Sequence, residues 1–134
     1  MRSIQRNLHK AAAILALIIG GMAVFAGGKV LLGNDPGYFV IDWLPIYNAG
    51  MGLVSVLFTT VLLWTGHKYA VPAAVATFAM HSLVMLILQT MYREAVAAES
   101  QQAMTIRLIV WGLILILMWV QSRQRKATQK PATT

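Results

Sequence analysis

The stretch FAGGKVLLGNDPGYFVIDWLPIYNAGMG, residues 25–52, decides how this chain folds, because it is the longest connection between apolar segments that can each cross a bilayer. It contains six of the ten glycines and two of the four prolines. Its polar side chains include Lys29, Asn34, Asp35, Asp42 and Asn48. We therefore expect an ordered outer loop in which backbone and side chains together could form a site.

The composition is that of a membrane protein. The 134 residues are 58% hydrophobic and 11% charged, with a mean hydropathy of +0.66, whereas soluble proteins carry about 25% charged residues. The chain has no cysteine, which excludes disulfides, thiolate-bound metals and iron–sulfur clusters. The net charge of +7 lies at the two ends of the chain rather than along one face, so it predicts topology and argues against nucleic acid as a partner.

Hydropathy predicts four membrane-spanning helices, since about 20 apolar residues suffice to cross the hydrocarbon layer. The predicted spans are residues 11–32, 46–64, 70–91 and 104–120. Pro45 suits the first turn of the second helix, where a backbone N–H would be unpaired in any case. The short turn 65–69 makes the second and third helices antiparallel neighbours. We expect an all-α, four-helix transmembrane domain over residues 1–122 and a basic, disordered tail over 123–134.

The first span has an alternative interpretation as a secretory signal peptide. The basic lead that ends at Lys10 precedes an apolar run, and residues 24–26 before Gly27 resemble a cleavage site. That run is longer than the usual apolar core of about 7 to 15 residues and continues past Lys29. We therefore expect an uncleaved helix.

The distribution of Lys and Arg predicts the orientation. The N-terminal lead, the turn around Lys68 and the tail hold eight basic residues and no acid: Arg2, Arg6, Lys10, Lys68, Arg123, Arg125, Lys126 and Lys130. The opposite side holds Lys29, Arg93 and Arg107 with all four acids, Asp35, Asp42, Glu94 and Glu99. Aromatic residues predict the same two interfaces: Tyr38, Trp43, Tyr47, Tyr92 and Trp111 outside, and Trp64, Tyr69 and Trp119 inside. Both termini should be cytoplasmic, in a multi-pass protein of a bacterial inner (plasma) membrane.

Small residues recur at every fourth position of the first helix, at Ala12, Ala16 and Gly20 and again at Ala23 and Gly27. Such a face lets another backbone approach closely. We interpret it as a contact inside the bundle, and a dedicated dimer interface is the alternative.

The outer loop supplies one set of site candidates: Lys29, Asn34, Asp35, Tyr38 and Asp42, with Arg107 near the outer end of the fourth span. They could bind a cation or a polar substrate around a Gly- and Pro-rich turn, or they could form a solvated loop. The spacing of the two acids matches no calcium loop, so we predict no metal. We expect the side chains of Lys29 and Arg107 to extend to the lipid headgroups. In the alternative, one of them pairs with Asp35 or Asp42.

A second set of candidates lies inside the membrane. Counting from Ala70 places His81 at the middle of the third span, where an ionised side chain costs at least about 2.5 kcal/mol, so we expect a neutral ring that faces the bundle. Its expected partners by depth are Thr77 on the same face and Ser55, Thr59 or Thr60 on the second helix. The bond is either structural or part of proton or quinone chemistry.

Copper and haem are two further cofactors that methionine and histidine residues of this sequence could bind. Thioethers bind Cu(I), but the eight methionines are spread over all four spans, as is typical of core filling. A haem inside the membrane needs two axial ligands, and His81 is the only histidine at that depth. His9 and His67 both lie near the cytoplasmic interface, so a bis-histidine haem site there is the remaining alternative. The sequence has no serine-histidine-acid set, phosphate loop or HExxH motif.

Residues 25–33, FAGGKVLLG, followed by a polar loop, a proline-led second helix and two closely joined helices, resemble the DoxX-like group of small four-helix membrane proteins. The resemblance covers roughly residues 15–122 as topology. It implies a subunit or accessory of a membrane oxidoreductase that works near quinone, and it transfers only Lys29 as a site residue. Many members carry an acid early in the second helix, whereas residues 50–55 here have none.

These observations leave three classes of function. We favour an accessory or structural subunit of a larger membrane complex, without catalytic activity of its own, because the chain is small and has few catalytic side chains. A DoxX-like oxidoreductase subunit acting near quinone is the alternative. A small oligomeric transporter is the third, although the first helix lacks the acid that couples protons in small exporters. The expected partners are lipid and other membrane proteins, or further copies of the chain.

The predicted topology can be tested with fusion proteins. A reporter that is active only in the cytoplasm should be active when it follows Thr134, and a reporter that is active only outside should be active when it is inserted after Gly37. Activity of the outside reporter behind Thr134 would contradict the orientation.

Overall fold

The computed structural model describes residues 7–129, except for the side chains of residues 125 and 127–129. Within this part of the chain the fold is all-helical, and its four helices are α1 (Leu8–Leu31), α2 (Leu44–Thr65), α3 (Ala70–Thr90) and α4 (Ala98–Gln129). Each helix is long and apolar enough to cross a membrane. The prediction of an all-α bundle with four spans is confirmed.

α4 is longer than predicted at both ends. We expected a span of 104–120, but the helix covers Ala98–Gln129. Glu99 lies in its first turn and Lys126 in its last, where each charge complements the helix dipole. The flanking Ala, Gln, Arg and Lys residues are strong helix formers, and they extend an existing helix without a new nucleation step. The predicted disordered tail, 123–134, is therefore wrong as far as Gln129, and the residues beyond lie outside the described part.

The helices alternate in direction, so the bundle has two ends. The terminal end carries the start of α1, the connection 66–69 and the end of α4; the loop end carries the connections 32–43 and 91–97. α1 packs against α2 and α4, while α3 packs against α4 and touches the second half of α2. The four helices thus close into a ring.

α1 and α2 approach each other along the face of small residues. The predicted set on α1 is buried throughout: Ala12, Ala16, Gly20, Ala23 and Gly27. A Cβ atom on Gly27 would lie 2.6 Å from the carbonyl oxygen of Pro45, and one on Gly52 would lie 2.6 Å from that of Gly20. The two backbones are therefore in direct contact. The small-residue face is used inside the bundle, so it is not left exposed as a dimer interface.

α2 contains an irregular turn. Residues Ser55–Thr59 form a π-helical turn between the α-helical segments Leu44–Val54 and Thr60–Thr65. The Thr60 hydroxyl donates a hydrogen bond to the Ser55 carbonyl oxygen at 2.7 Å, which supports the wider turn. Single π turns are frequent at functional sites, and this one faces buried polar side chains.

Two apolar clusters fill the bundle, and polar side chains lie between them. The cluster at the terminal end includes Leu63, Ala74 and Trp111, and the cluster at the loop end includes Leu44, Val84 and Met104. Between them, buried, are Ser55, Thr59, Thr77, His81 and Arg107, which we call the polar layer. At this depth lipid offers no hydrogen bonds, so these groups need partners within the protein.

The aromatic residues are distributed between the core and the two interfaces differently from the prediction. Trp111 is buried in the core rather than at the outer interface, because the earlier start of α4 moves it deeper. Trp64, Tyr69 and Trp119 are exposed at the terminal end, as an interfacial belt requires. Trp64 and Trp119 each carry a cation over the ring, Lys10 at 5.2 Å and Arg123 at 4.6 Å from the ring centre.

The close approach of α1 and α2 can be tested with two adjacent glycines. Gly27→Ala should lower the free energy of unfolding by about 1–3 kcal/mol, because its Cβ atom would meet backbone atoms of α2. Gly28→Ala is the matched control, since a Cβ atom there meets nothing within 4 Å, and it should be neutral or stabilising by up to about 1 kcal/mol. Denaturant titration in micelles measures both. Equal effects of the two substitutions would contradict the direct contact.

Candidate functional site

Arg107 is the most unusual member of the polar layer. The inward face of α4 is formed by residues three or four apart: Ser100, Met104, Arg107, Trp111, Ile114, Met118 and Gln121, all buried. The start of α4 at Ala98 places Arg107 about 13 Å along the helix rather than at its end. Only 6% of its surface is exposed. Arg107 therefore does not extend to the headgroups, contrary to our expectation.

The guanidinium of Arg107 is bonded to an amide and to no acid. Its Nη1 donates a hydrogen bond to Oδ1 of Asn48 at 2.6 Å. Arg107 makes no other hydrogen bond or ion pair within the described residues, although a guanidinium has five N–H donors. The alternative pairing with Asp35 or Asp42 is not present either, and both acids lie on the exposed surface.

A small cavity lies against Arg107 at the loop end of the bundle. Its volume is about 40 Å³, and its walls come from α1, the 32–43 connection, α2 and α4. Tyr38 and Val40 of the connection line it together with Asn48 and Ser100. Of the predicted loop candidates, Tyr38 and Arg107 thus meet at one cavity.

The other loop candidates lie outside this cavity. The Asp35 carboxylate accepts a hydrogen bond from the backbone N–H of Gly37 at 2.9 Å and so shapes the turn. Lys29 is exposed, with its ammonium 5.2 Å from the centre of the Phe25 ring. Asn34 and Asp42 are also exposed.

The last four residues of the connection, 40–43, pack against the bundle except for the exposed Asp42, as we expected of an ordered loop. Ile41 is buried in the loop-end cluster. The indole N–H of Trp43 donates a hydrogen bond to the Tyr92 hydroxyl at 3.1 Å, which joins the two connections of the loop end. Residues 32–39 are exposed, including Phe39.

His81 faces the bundle, with 3% of its surface exposed. Its Nδ1 shares a hydrogen bond of 2.8 Å with the Tyr47 hydroxyl. The expected interhelical bond to α2 is therefore present, but its partner is Tyr47 and not a serine or threonine. Trp111 adds a ring contact, with centroids 6.3 Å apart.

The serine and threonine hydroxyls that we predicted as partners of His81 make no hydrogen bond to it. Thr77 donates to the carbonyl oxygen of Ala73 at 2.9 Å and Ser55 to that of Met51 at 2.8 Å. Thr60 donates to the Ser55 carbonyl oxygen, and Thr59 is buried without a hydrogen bond to His81. Serine and threonine hydroxyls in helices commonly bond to a carbonyl one turn back. A longer side chain was needed to cross between the helices.

A second, smaller cavity joins His81 to Arg107. It has a volume of about 10 Å³ and is lined by both residues, by Trp111 and by Ser55 of the π turn. This space is close to the smallest that holds one water, about 10–15 Å³. His81 and Arg107 therefore belong to one polar site, together with Tyr47 and Asn48.

The polar site does not have the composition of a metal centre. Within residues 7–129, no group of three or more His, Asp or Glu side chains could hold a metal ion. His9 and His67 both line a cavity at the terminal end, far along the helices from His81.

No family model matches the chain, and neither a curated protein nor a solved structure matches it. The class of the protein is therefore defined by its fold alone, as a multi-pass, four-helix protein with spans fit for a membrane.

Tyr47, Asn48 and Trp111 belong to the site, although the sequence did not predict them as site residues. A signal for Asn48 was present, since an amide within an apolar span requires a partner. Arg107 on the inward face of α4 is that partner.

Proposed function

We propose that the protein is an accessory subunit of a larger membrane complex, and that a carboxylate of a partner subunit completes the site at Arg107. The supporting observation is the buried guanidinium, which has one amide partner and no acid within the described residues. Buried charges in proteins are normally paired. A counter-charge from another chain would pair this one.

The energetic argument rests on depth. An arginine at the centre of a bilayer costs about 2.5–3.5 kcal/mol on insertion scales. A hydrogen bond to a charged group contributes about 1.5–3 kcal/mol, which is similar in size to this cost, but the other four N–H donors of the guanidinium have no protein partner within the described residues. The charge of Arg107 is therefore incompletely stabilised in the isolated chain, and a carboxylate of a partner subunit would stabilise it.

The size of the cavity favours a side chain over a cofactor. Its volume of about 40 Å³ exceeds the 10–15 Å³ or so that a water needs, so it admits a group of a few heavy atoms such as a carboxylate. Ring-bearing ligands occupy pockets of about 300–1,000 Å³. The cavity also opens beside Tyr38 of the exposed connection, where a partner can approach.

With both termini cytoplasmic in a bacterial inner membrane, as the charge distribution predicts, the docking site lies at the outer face. The partner is then an integral membrane protein, or a protein of the outer compartment, that inserts an acidic residue beside the 32–43 connection.

Arg107→Met tests this proposal. The variant should keep its fold, because removal of a buried charge that has no acid partner offsets the loss of the hydrogen bond to Asn48. Retention of the partner after purification in mild detergent should fall at least about tenfold, since breaking a buried pair costs about 3–5 kcal/mol. Circular dichroism and quantitative mass spectrometry of the copurified proteins are the two measurements.

Arg93→Met is the matched control, since Arg93 is an exposed arginine at the same end, and it should retain the partner. A photo-crosslinking amino acid at position 38 should attach to a partner segment that contains an acid. Arg107→Glu should then be rescued by exchange of that acid for arginine. Equal partner retention in the Arg107 and Arg93 variants would contradict the proposal.

A second candidate is the quinone-linked oxidoreductase subunit that the DoxX-like resemblance implies. The hydrogen bond of 2.8 Å between Tyr47 and His81 favours it, because two groups that can exchange protons lie together at membrane depth. Arg107 beside them could stabilise negative charge on a reduced quinone. The cavity of about 10 Å³ is too small for a quinone ring, so this function requires movement of the surrounding side chains.

The quinone candidate can be tested through Trp111. If a soluble quinone such as decylubiquinone reaches His81, it should quench the tryptophan fluorescence in detergent, and Trp111→Phe should remove most of that response. His81→Ala removes the hydrogen-bonding ring and should weaken binding about tenfold, the effect of one lost hydrogen bond, whereas His81→Gln keeps a hydrogen bond and should bind quinone nearly as the wild type does.

Trp119→Phe, an exposed tryptophan at the terminal end, is the control and should leave the response unchanged. If Trp111→Phe quenches like the wild type, quinone does not approach His81 and the quinone candidate is contradicted.

A further inference from the structure

The terminal end of the bundle contains a cavity that is independent of the site at Arg107. It measures about 240 Å³ and lies between the start of α1, the 66–69 turn and the end of α4. Its polar lining is His9, His67, Lys68, Gln121, Ser122 and Lys126.

The lining is cationic and contains no acid. All four acids of the chain lie in the two connections of the loop end or in the first turn of α4. The two lysines therefore have no counter-charge at this end of the described chain, and their field favours an anion.

Two side chains of the cavity are held in fixed orientations. The backbone N–H of Tyr69 donates to Nδ1 of His67 at 3.2 Å, so the proton of a neutral ring must be on Nε2 and His67 presents a donor. On the other wall, Gln121, which is 4% exposed, is hydrogen-bonded to Nδ1 of His9 at 3.0 Å. One wall of the cavity is thus fixed by the buried Gln121, while Lys68 and Lys126 are exposed at its rim, with the Lys68 ammonium 5.1 Å from the centre of the Tyr69 ring.

The left-handed Gly66 sets the shape of the turn. It ends α2 with φ 66°, a conformation in which only glycine is unstrained. The backbone N–H of His67 then bonds to the carbonyl oxygen of Leu62 at 2.9 Å. This tight reversal brings His67 and Lys68 to the same cavity.

The cavity lies at the depth of lipid headgroups. Lys10 over Trp64 and Arg123 over Trp119 mark the membrane interface at the same end. Basic pockets between membrane helices are typical binding sites for anionic headgroups. The volume of about 240 Å³ is below the 300–1,000 Å³ or so of pockets for drug-sized ligands, which suits a phosphate with a small substituent.

We propose that this cavity, which we call the terminal pocket, binds the phosphate group of a small phosphate ester, with Lys68, Lys126 and the Nε2–H of His67 as its donors. The ester is either the headgroup of an anionic phospholipid or a soluble compound with the same phosphate chemistry.

Native mass spectrometry tests the terminal pocket. The protein in mild detergent is mixed with equal amounts of phosphatidylglycerol and phosphatidylcholine, and the lipid retained on the protein is counted. The wild type should retain phosphatidylglycerol selectively. The double variant Lys68→Gln/Lys126→Gln should retain it about 10- to 30-fold less, because each lysine near an anionic group strengthens binding several-fold.

The double variant Lys10→Gln/Arg123→Gln is the matched control, since it removes two charges at the same end from residues that do not line the pocket. It should stay within about twofold of the wild type. Equal losses in the two double variants would show diffuse surface attraction and overturn the site, as would no selectivity in the wild type.

Competition with glycerol 3-phosphate separates the two sources of the phosphate. Displacement of the lipid at millimolar concentration would support the pocket and assign it to a soluble ester. Retention of the lipid at that concentration would support the pocket and assign it to the headgroup. The Arg107→Met variant should behave as the wild type in these measurements, because Arg107 does not line the terminal pocket.

Discussion

The direct contact of α1 with α2 is the constraint on which the rest of the structure depends. Gly20, Gly27 and Gly52 leave no space for a Cβ atom between the two backbones, and van der Waals contact of this kind is a main source of helix association in lipid. The same glycines line the two small cavities at Arg107 and His81. Close packing therefore determines how little space the polar site has, and hence which groups can enter it.

The polar layer follows from the absence of water at membrane depth. The serine and threonine hydroxyls donate hydrogen bonds to backbone carbonyl oxygens of their own helices, so they contribute little to the association of the helices. Tyr47 with His81 and Asn48 with Arg107 are the pairs that cross from α2 to α3 and α4. Since neighbouring residues of α2 make both bonds, a shift of α2 would disturb the two pairs together, and the site is coupled to the packing against α1.

The fold could be predicted from the sequence, because hydropathy and span length alone specify four helices. The ends of α4 could not, since its flanking segments are polar and helical, and hydropathy does not detect a polar helix. That error carried over to the site: with the span taken to begin at Met104, Arg107 appeared to lie at the surface. The spacing of Met104, Arg107 and Trp111 did indicate that Arg107 faces the bundle, because residues three and four apart share a helix face. No spacing within one helix could identify Tyr47 as the partner of His81, since that depends on how far two helices are rotated against each other.

Arg107 lacks an acid for a structural reason and not because acids are far away in the sequence. Asp35 is engaged by the backbone N–H of Gly37, and the hydrogen bond of Trp43 to Tyr92 fixes the connection that carries Asp42. Either acid could reach the cavity only if these bonds broke and if Tyr38 and Val40 moved out of its wall. Such a movement would break these hydrogen bonds and expose apolar side chains of the connection, so the chain itself cannot readily supply the missing charge. A carboxylate on another chain would enter the same cavity without disrupting the connection, and this difference is the physical basis for assigning the counter-charge of Arg107 to a partner.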